Sequence, residues 1–161
     1  MTDEQGKKTP ERPAFDMAAD FLARRMRAER EVRKFLDGRG IDEGEADEAI
    51  DRLKELGYID DRAYATRYLE ILVGRKRGRK RIKDEMRRRG LDAGLVEEIL
   101  CDGYTEPAER ENALRVAEKA MSALPEGVDA REAARKLSSR LVWQGYDYDL
   151  IDSVVGELLK Q

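Results

Sequence analysis

Histidine is absent from this chain of 161 residues. Without imidazole there is no Ser–His or Cys–His nucleophilic pair, no His-ligated zinc and no acid–base group titrating near neutrality. The single cysteine, Cys101, excludes an intramolecular disulfide and a multi-thiolate metal site, and suits a reducing compartment. With no histidine to activate it, Cys101 reads as a buried or incidental thiol. Aromatic residues make up only 6% of the chain. No stretch approaches the roughly 18 uncharged apolar residues of a membrane span. The opening residues, Met1 to Lys8, carry no apolar segment of a secretory signal. No phosphate-cradling glycine loop occurs either, since Gly74-Arg75-Lys76-Arg77-Gly78 has the wrong spacing. These absences remove the commonest catalytic classes, and no cofactor or metal site is expected.

What is present is charge. Charged residues make up 42% of the chain, against about 25% in an ordinary globular domain. Ala, Glu, Leu, Lys and Arg together exceed half of it, which is the makeup of long solvated helices. Residues 1–13, with Gly6, Pro10, Pro13 and mixed charge, read as a disordered tail. From Phe15 onward apolar residues recur at three- and four-residue spacing, with no convincing period-two alternation. Breaks fall at 38–40, 57–60, 74–78, 90–92, 102–106, 125–129 and 145–147, each carrying Gly, Pro or Asp. Asp61 reads as a helix N-cap, and Asp129 with Glu132 as a capping box.

The breaks reveal a repeat. Gly40-Ile41-Asp42, Gly90-Leu91-Asp92 and Gly145-Tyr146-Asp147 are three copies of Gly–apolar–Asp, 50 and then 55 residues apart. Eight residues before each Gly stand Val32, Ile82 and Leu137, and four before it Leu36, Met86 and Leu141. Six after it come Ala46, Val96 and Ile151, and ten after it Ile50, Leu100 and Val155. A helix burying one stripe, a Gly stop, an Asp cap and a second helix generate this pattern. Adding the preceding helices at 14–26, 61–73 and 106–123 gives three helices per unit. The expected fold is all-α: an elongated, curved array of three tandem three-helix repeats at 14–57, 58–102 and 103–161, behind the tail. Repeats of this size bury their apolar faces only by stacking.

Net charge is −3, which argues against an indiscriminate nucleic-acid binder. Its distribution says more. Between Gly74 and Gly90 stand Arg75, Lys76, Arg77, Arg79, Lys80, Arg81, Lys83, Arg87, Arg88 and Arg89, against Asp84 and Glu85 alone, a local excess of +8. Such a block attracts phosphate or an acidic protein face. Like charges at one-turn spacing also repel, so a merely solvated face is the weaker reading. Residues from Arg75 to Lys83 are the first choice for binding. Arg87, Arg88 and Arg89 are the second, because they also complement the carbonyl end of their helix. Tyr58, Tyr64, Tyr68, Trp143, Tyr146 and Tyr148 read mainly as core or repeat-interface residues, with Trp143 a candidate anchor for a protein contact. The Asp60-Asp61 pair sits at a turn before a helix and reads as capping rather than metal binding.

Several of these segments resemble the RecX regulatory family. Arg27-Ala28-Glu29-Arg30-Glu31-Val32-Arg33-Lys34-Phe35-Leu36, ending at Gly40, is similar to the family's first signature. Leu56-Gly57-Tyr58-Ile59-Asp60-Asp61-Arg62-Ala63-Tyr64-Ala65, continuing through Gly78 to Met86 and on to Gly90-Leu91, resembles the second. Arg135-Lys136-Leu137, with Gly145 to Ile151, resembles the third. Ala28 stands where the family often carries a hydroxyl cap, which predicts a weaker start for that helix.

The resemblance implies a cytoplasmic, all-helical modulator of the RecA recombinase. It would bind the RecA–DNA filament, suppress ATPase, strand exchange and coprotease activity, and so act on recombination, repair and the SOS response. Its partners would be the RecA filament and single- or double-stranded DNA, either directly or only within the filament, with no membrane partner, and the chain would be a monomer. Other readings remain: a stand-alone helical DNA-binding module acting through segment 75–89, a plain helical scaffold, or a metal-dependent nuclease built on Asp60 and Asp61.

Overall fold

The computed structural model describes residues 12–161. The tail expected over 1–13 lies outside the described residues up to position 11. Arg12 and Pro13 already belong to the structure. Pro13 occupies the N-cap position of the first helix, and Arg12 pairs with Asp20 at 2.8 Å.

Among the described residues there are nine helices and no strand. They are α1 Ala14–Ala23, α2 Glu29–Gly38, α3 Glu43–Glu55, α4 Asp61–Gly74, α5 Arg79–Arg88, α6 Ala93–Gly103, α7 Glu106–Ser122, α8 Ala130–Gln144 and α9 Tyr148–Leu159. Nine is the number that three units of three helices would require. Helix α1 stops three residues earlier than the apolar spacing suggested. Beyond it, Arg25 donates to the Met26 carbonyl at 2.9 Å within the turn that leads to α2.

The repeat is written in the burial. Val32, Ile82 and Leu137 are all buried, as are Leu36, Met86 and Leu141. The same holds for Ala46, Val96 and Ile151, for Ile50, Leu100 and Val155, and for the turn residues Ile41, Leu91 and Tyr146. Gly40, Gly90 and Gly145 share left-handed φ values of 79°, 83° and 94°, a conformation that disfavours any Cβ. After two of these turns the next helix is capped by the Asp. Asp42 accepts from the Glu45 amide and Asp147 from the Tyr148 amide, both at 2.8 Å.

The described residues divide into two compact units. One comprises the residues up to Ala65 with Arg87–Asp92; the other comprises Thr66–Met86 with Ala93–Gln161. In the first, α1 packs on α2 and α3 around Val32, Leu36, Ile50 and Leu53. Phe21 stacks face to face on Phe35, with centroids 4.2 Å apart, and Arg27 lies 4.0 Å over Phe21. In the second, α7, α8 and α9 close on Val116, Leu137, Leu141, Tyr146 and Val154.

Helix starts are stitched across repeat boundaries within each unit. Ala28 offers α2 no side-chain acceptor, as the sequence foresaw. The start is nevertheless satisfied: Glu31 accepts from the Ala28 amide at 2.8 Å, and Asp61 accepts from the Glu29 amide at 2.9 Å. Asp61 therefore does not cap its own helix. That role belongs to Asp60, which accepts from the Ala63 amide at 3.0 Å. The expected capping box at Asp129 is present in its first half, with Asp129 accepting from the Glu132 amide at 2.8 Å. Cys101 is exposed rather than buried. No helix among the described residues is long and apolar enough to cross a membrane.

Candidate nucleic-acid and partner interface

The basic segment begins in the connection between α4 and α5, and the third repeat clamps that connection from all sides. Asn112 donates to the Val73 carbonyl at 3.1 Å, Tyr146 to the Lys76 carbonyl at 2.5 Å, and Tyr104 to the Arg77 carbonyl at 3.1 Å. Asn112 also donates to the Tyr104 hydroxyl at 3.1 Å. The Gly78 amide donates to the Gln144 carbonyl at 2.8 Å and the Lys80 amide to the Gly145 carbonyl at 3.1 Å. Lys76 holds φ at 60°, a left-handed conformation unusual for a residue with a Cβ. The backbone carbonyls of Val73, Lys76 and Arg77 and the amides of Gly78 and Lys80 all have protein partners, so the loop backbone is preorganised rather than slack.

Nine of the ten basic residues take three different roles. Arg79 belongs to the interior. Its Nε donates to Glu109 Oε2 at 2.8 Å and its amide to Glu109 Oε1 at 3.1 Å, while its Nη2 donates to the Tyr104 carbonyl. Glu109 thus caps α5 from α7, as Asp61 caps α2 from α4. Any external ligand for Arg79 would have to break this buried pair. Arg77 is likewise half-buried. It donates to Gln144 Oε1 at 2.5 Å, and its Nε faces Glu85 at 3.8 Å. Burial, with Arg81 close by, holds its pKa below the ordinary guanidinium value.

A second group is paired and at least partly accessible to solvent. Arg81 donates to Glu85 at 3.0 Å and to the Trp143 carbonyl at 3.0 Å. Lys80 stands 3.6 Å from Asp147 and 5.1 Å over Tyr148. Lys83 meets Glu97 at 2.8 Å. The exposed pair of Lys80 with Asp147 contributes about 0–1 kcal/mol and yields readily to a competing anion, whereas Arg81 and Lys83 are half-buried. A mixed-charge groove of about 700 Å³ runs beside them, lined by Arg79, Lys80, Lys83, Glu109, Asp147 and Leu150 among others.

The third group keeps its charge. Arg75, Lys76, Arg87 and Arg88 have no ion-pair partner among the described residues. Arg75 and Lys76 sit at the clamped turn in the second unit; Arg87, Arg88 and Arg89 lie in the first. The +8 excess of the sequence is therefore partly neutralised from outside the segment, by Glu97, Glu109 and Asp147, in addition to Glu85 within it.

The aromatic residues divide as well. Tyr64 and Tyr146 are buried and Tyr68 is half-buried, donating to Glu85 at 3.4 Å, whereas Tyr58, Tyr148 and Trp143 are exposed. Sequence reasoning missed Tyr104, Glu109, Asn112, Gln144 and Arg140. Only the buried polar pair Glu109 and Asn112, three apart on one helix face, left a trace in the pattern. Among the described residues no group of three or more Asp, Glu or Cys is arranged to hold a metal. Asp60 and Asp61 are each engaged as a cap.

Comparison with known proteins is consistent along the chain. Residues 14–53 match the family described as RecX, first three-helix domain, and residues 60–100 match RecX, second three-helix domain. The chain is 32% identical over 145 residues to the regulatory protein RecX of Clostridium botulinum, covering 89% of this chain and 68% of that one. It is 30% identical over 155 residues to the regulatory protein RecX of Chlorobaculum tepidum, covering 94% and 90%. The crystal structure of RecX from Lactobacillus salivarius superposes with a TM-score of 0.82 at 28% identity, over 90% of this chain and 94% of that one.

Proposed function

Because the chain belongs to the RecX family of regulatory proteins, we propose that it is a non-enzymatic, cytoplasmic regulator acting as a monomer on the RecA–DNA filament. It lowers RecA ATPase, strand-exchange and coprotease activity, and through them tunes recombination, repair and the SOS response. The observation that carries this reading is the likeness to RecX over nine-tenths of the chain, in sequence and in fold together.

Three-helix repeats suit a bridging mechanism. A chain that contacts neighbouring RecA protomers at once resists their relative movement. If ATP turnover requires that movement, bridging slows it without chemistry by this chain. The clamped turn supports the idea, since cations held on a preorganised backbone lose little conformational entropy on binding an anionic filament. Arg75, Lys76, Arg87 and Arg88 are the residues we place first in that contact. Lys80 follows, because its exposed pair is cheap to exchange, and then the half-buried Lys83 and Arg81. Arg77, Arg79 and Arg89 come last.

The test is the DNA-dependent ATPase of RecA titrated with this protein. A dose-dependent fall in turnover, weakening with salt, is expected. Tight binding to naked DNA with unchanged RecA turnover would instead identify a stand-alone DNA-binding module.

A further inference from the structure

Trp143 is the chain's one tryptophan, and it is not in the core. It stands on α8 with 55% of its surface open. Three arginines gather on its ring. The Arg81 guanidinium lies 4.1 Å from a ring centroid, Arg140 at 4.9 Å and Arg77 at 5.4 Å. The arrangement is held from beneath: Arg81 donates to the Trp143 carbonyl, and Arg77 to the neighbouring Gln144 side chain. One carboxylate, Glu85, serves both Arg77 and Arg81. Arg140 has no ion-pair partner among the described residues, and the buried Nε of Arg77 has no hydrogen-bond partner among them. Three like charges around one carboxylate repel. That repulsion, added to burial, depresses Arg77, with Arg81, Arg75 and Arg140 all contributing.

A site with an exposed flat apolar ring and surplus guanidinium groups calls for a ligand that alternates flat rings with anions. We propose that Trp143, Arg77, Arg81 and Arg140 form a stacking site for single-stranded nucleic acid. An unstacked base lies on the indole or on a guanidinium plane, and the flanking phosphates meet Arg140, Arg81 and the nearby Arg75. Duplex DNA does not fit this chemistry, because its bases are already stacked on one another and reach an aromatic side chain only by intercalation. Stacking on aromatic and guanidinium planes is tolerant of sequence and adds to the phosphate attraction. The site rests on the filament reading above. The test leaves RecA out, so that either proposal can fail alone.

Because Trp143 is the sole indole, intrinsic fluorescence of the full chain reports this site directly. Titration with an oligothymidine single strand is expected to quench the emission, and added salt to reverse it. A duplex of equal length is expected to quench much less. Trp143→Ala, followed by polarisation of a labelled strand, is expected to bind about tenfold more weakly, and Trp143→Phe to recover most of that loss. Arg140→Gln is expected to weaken binding and flatten its salt dependence. Circular dichroism checks the helix content of each variant, and Arg140→Gln decides the matter should Trp143→Ala misfold. The proposal is overturned if the wild-type chain fails to bind the strand, which would assign the patch to an acidic protein surface. Equal quenching by the duplex, or undiminished binding by Trp143→Ala and Arg140→Gln, would overturn it too.

Discussion

Gly78 and Gly145 meet through their backbones. A Cβ built on Gly78 would lie 2.4 Å from the carbonyl carbon and oxygen of Gly145, and one built on Gly145 would lie 2.4 Å from the Arg81 Cβ. The same contact carries the hydrogen bonds from Gly78 to Gln144 and from Lys80 to Gly145. Here the start of α5 is seated on the Gly turn of the third repeat. The first unit holds a looser version, with Arg30 Cβ 3.2 Å from a Cβ built on Gly90. There Ala28 occupies the position equivalent to Gly78.

Gly78→Ala should therefore destabilise the protein by about 2–4 kcal/mol, since backbone rather than a yielding side chain must move. Gly74→Ala is the control. It lies at the end of α4 with nothing within 4 Å of the added Cβ. That substitution should be neutral or stabilise by up to about 1 kcal/mol. Urea unfolding of the two variants checks both signs.

Glu109 closes the buried pair with Arg79 and caps α5. Glu109→Ala leaves a guanidinium half-buried and an amide without its acceptor, and should cost about 3–5 kcal/mol. Asp147→Ala removes the exposed partner of Lys80 along with the cap of α9, and should cost about 1 kcal/mol. A chemical-denaturation series that ranked Asp147→Ala above Glu109→Ala would contradict this account of the clamp.

Tyr64, Tyr104 and Tyr146 all have raised pKa values, in each case chiefly because burial disfavours the phenolate. The folded chain keeps these protons at a pH where the unfolded chain releases them, near 10. Their contribution to stability is complete below pH 10 and is lost as pH rises through the folded values. The expected slope is about −1.4 kcal/mol per pH unit for each tyrosine still protonated only in the folded state. Unfolding free energies measured between pH 9 and 11.5 should show this fall, and Tyr146→Phe should make it shallower.

Arg75→Glu with Lys76→Glu changes charge at the clamped turn without touching an ion pair of the fold. Thermal stability should stay within about 0.5 kcal/mol of the parent, while the concentration needed to inhibit RecA turnover rises severalfold. Arg79→Glu should instead unfold the α5 start, because it sets a carboxylate against Glu109. A stable Arg79→Glu variant with selectively lost inhibition would move Arg79 from the fold to the interface.

Much of the architecture was legible in the sequence because the repeat is a local signal. A helix stripe at three- and four-residue spacing, a Gly that accepts a left-handed φ and an Asp two residues later are decided within about ten positions. Val32, Ile82 and Leu137 could be aligned, and expected to be buried, without knowing what they touch. The excess charge between Gly74 and Gly90 was equally plain. What could not be read was which of those charges remain available. Glu109 stands 30 residues from Arg79, and Trp143 stands 62 from Arg81. No local pattern marks such pairs.

Spacing and residue type alone settled that this is an all-helical chain with a recurring Gly–apolar–Asp turn and one cationic stretch, because helix formation and termination answer to near neighbours. Only the tertiary structure decided that Arg79 pairs with Glu109, that Asp61 caps a helix other than its own, and that Arg81 joins Trp143. Those outcomes depend on which side chains of different repeats are brought within about 3–5 Å, where hydrogen-bond and charge energies rise or vanish.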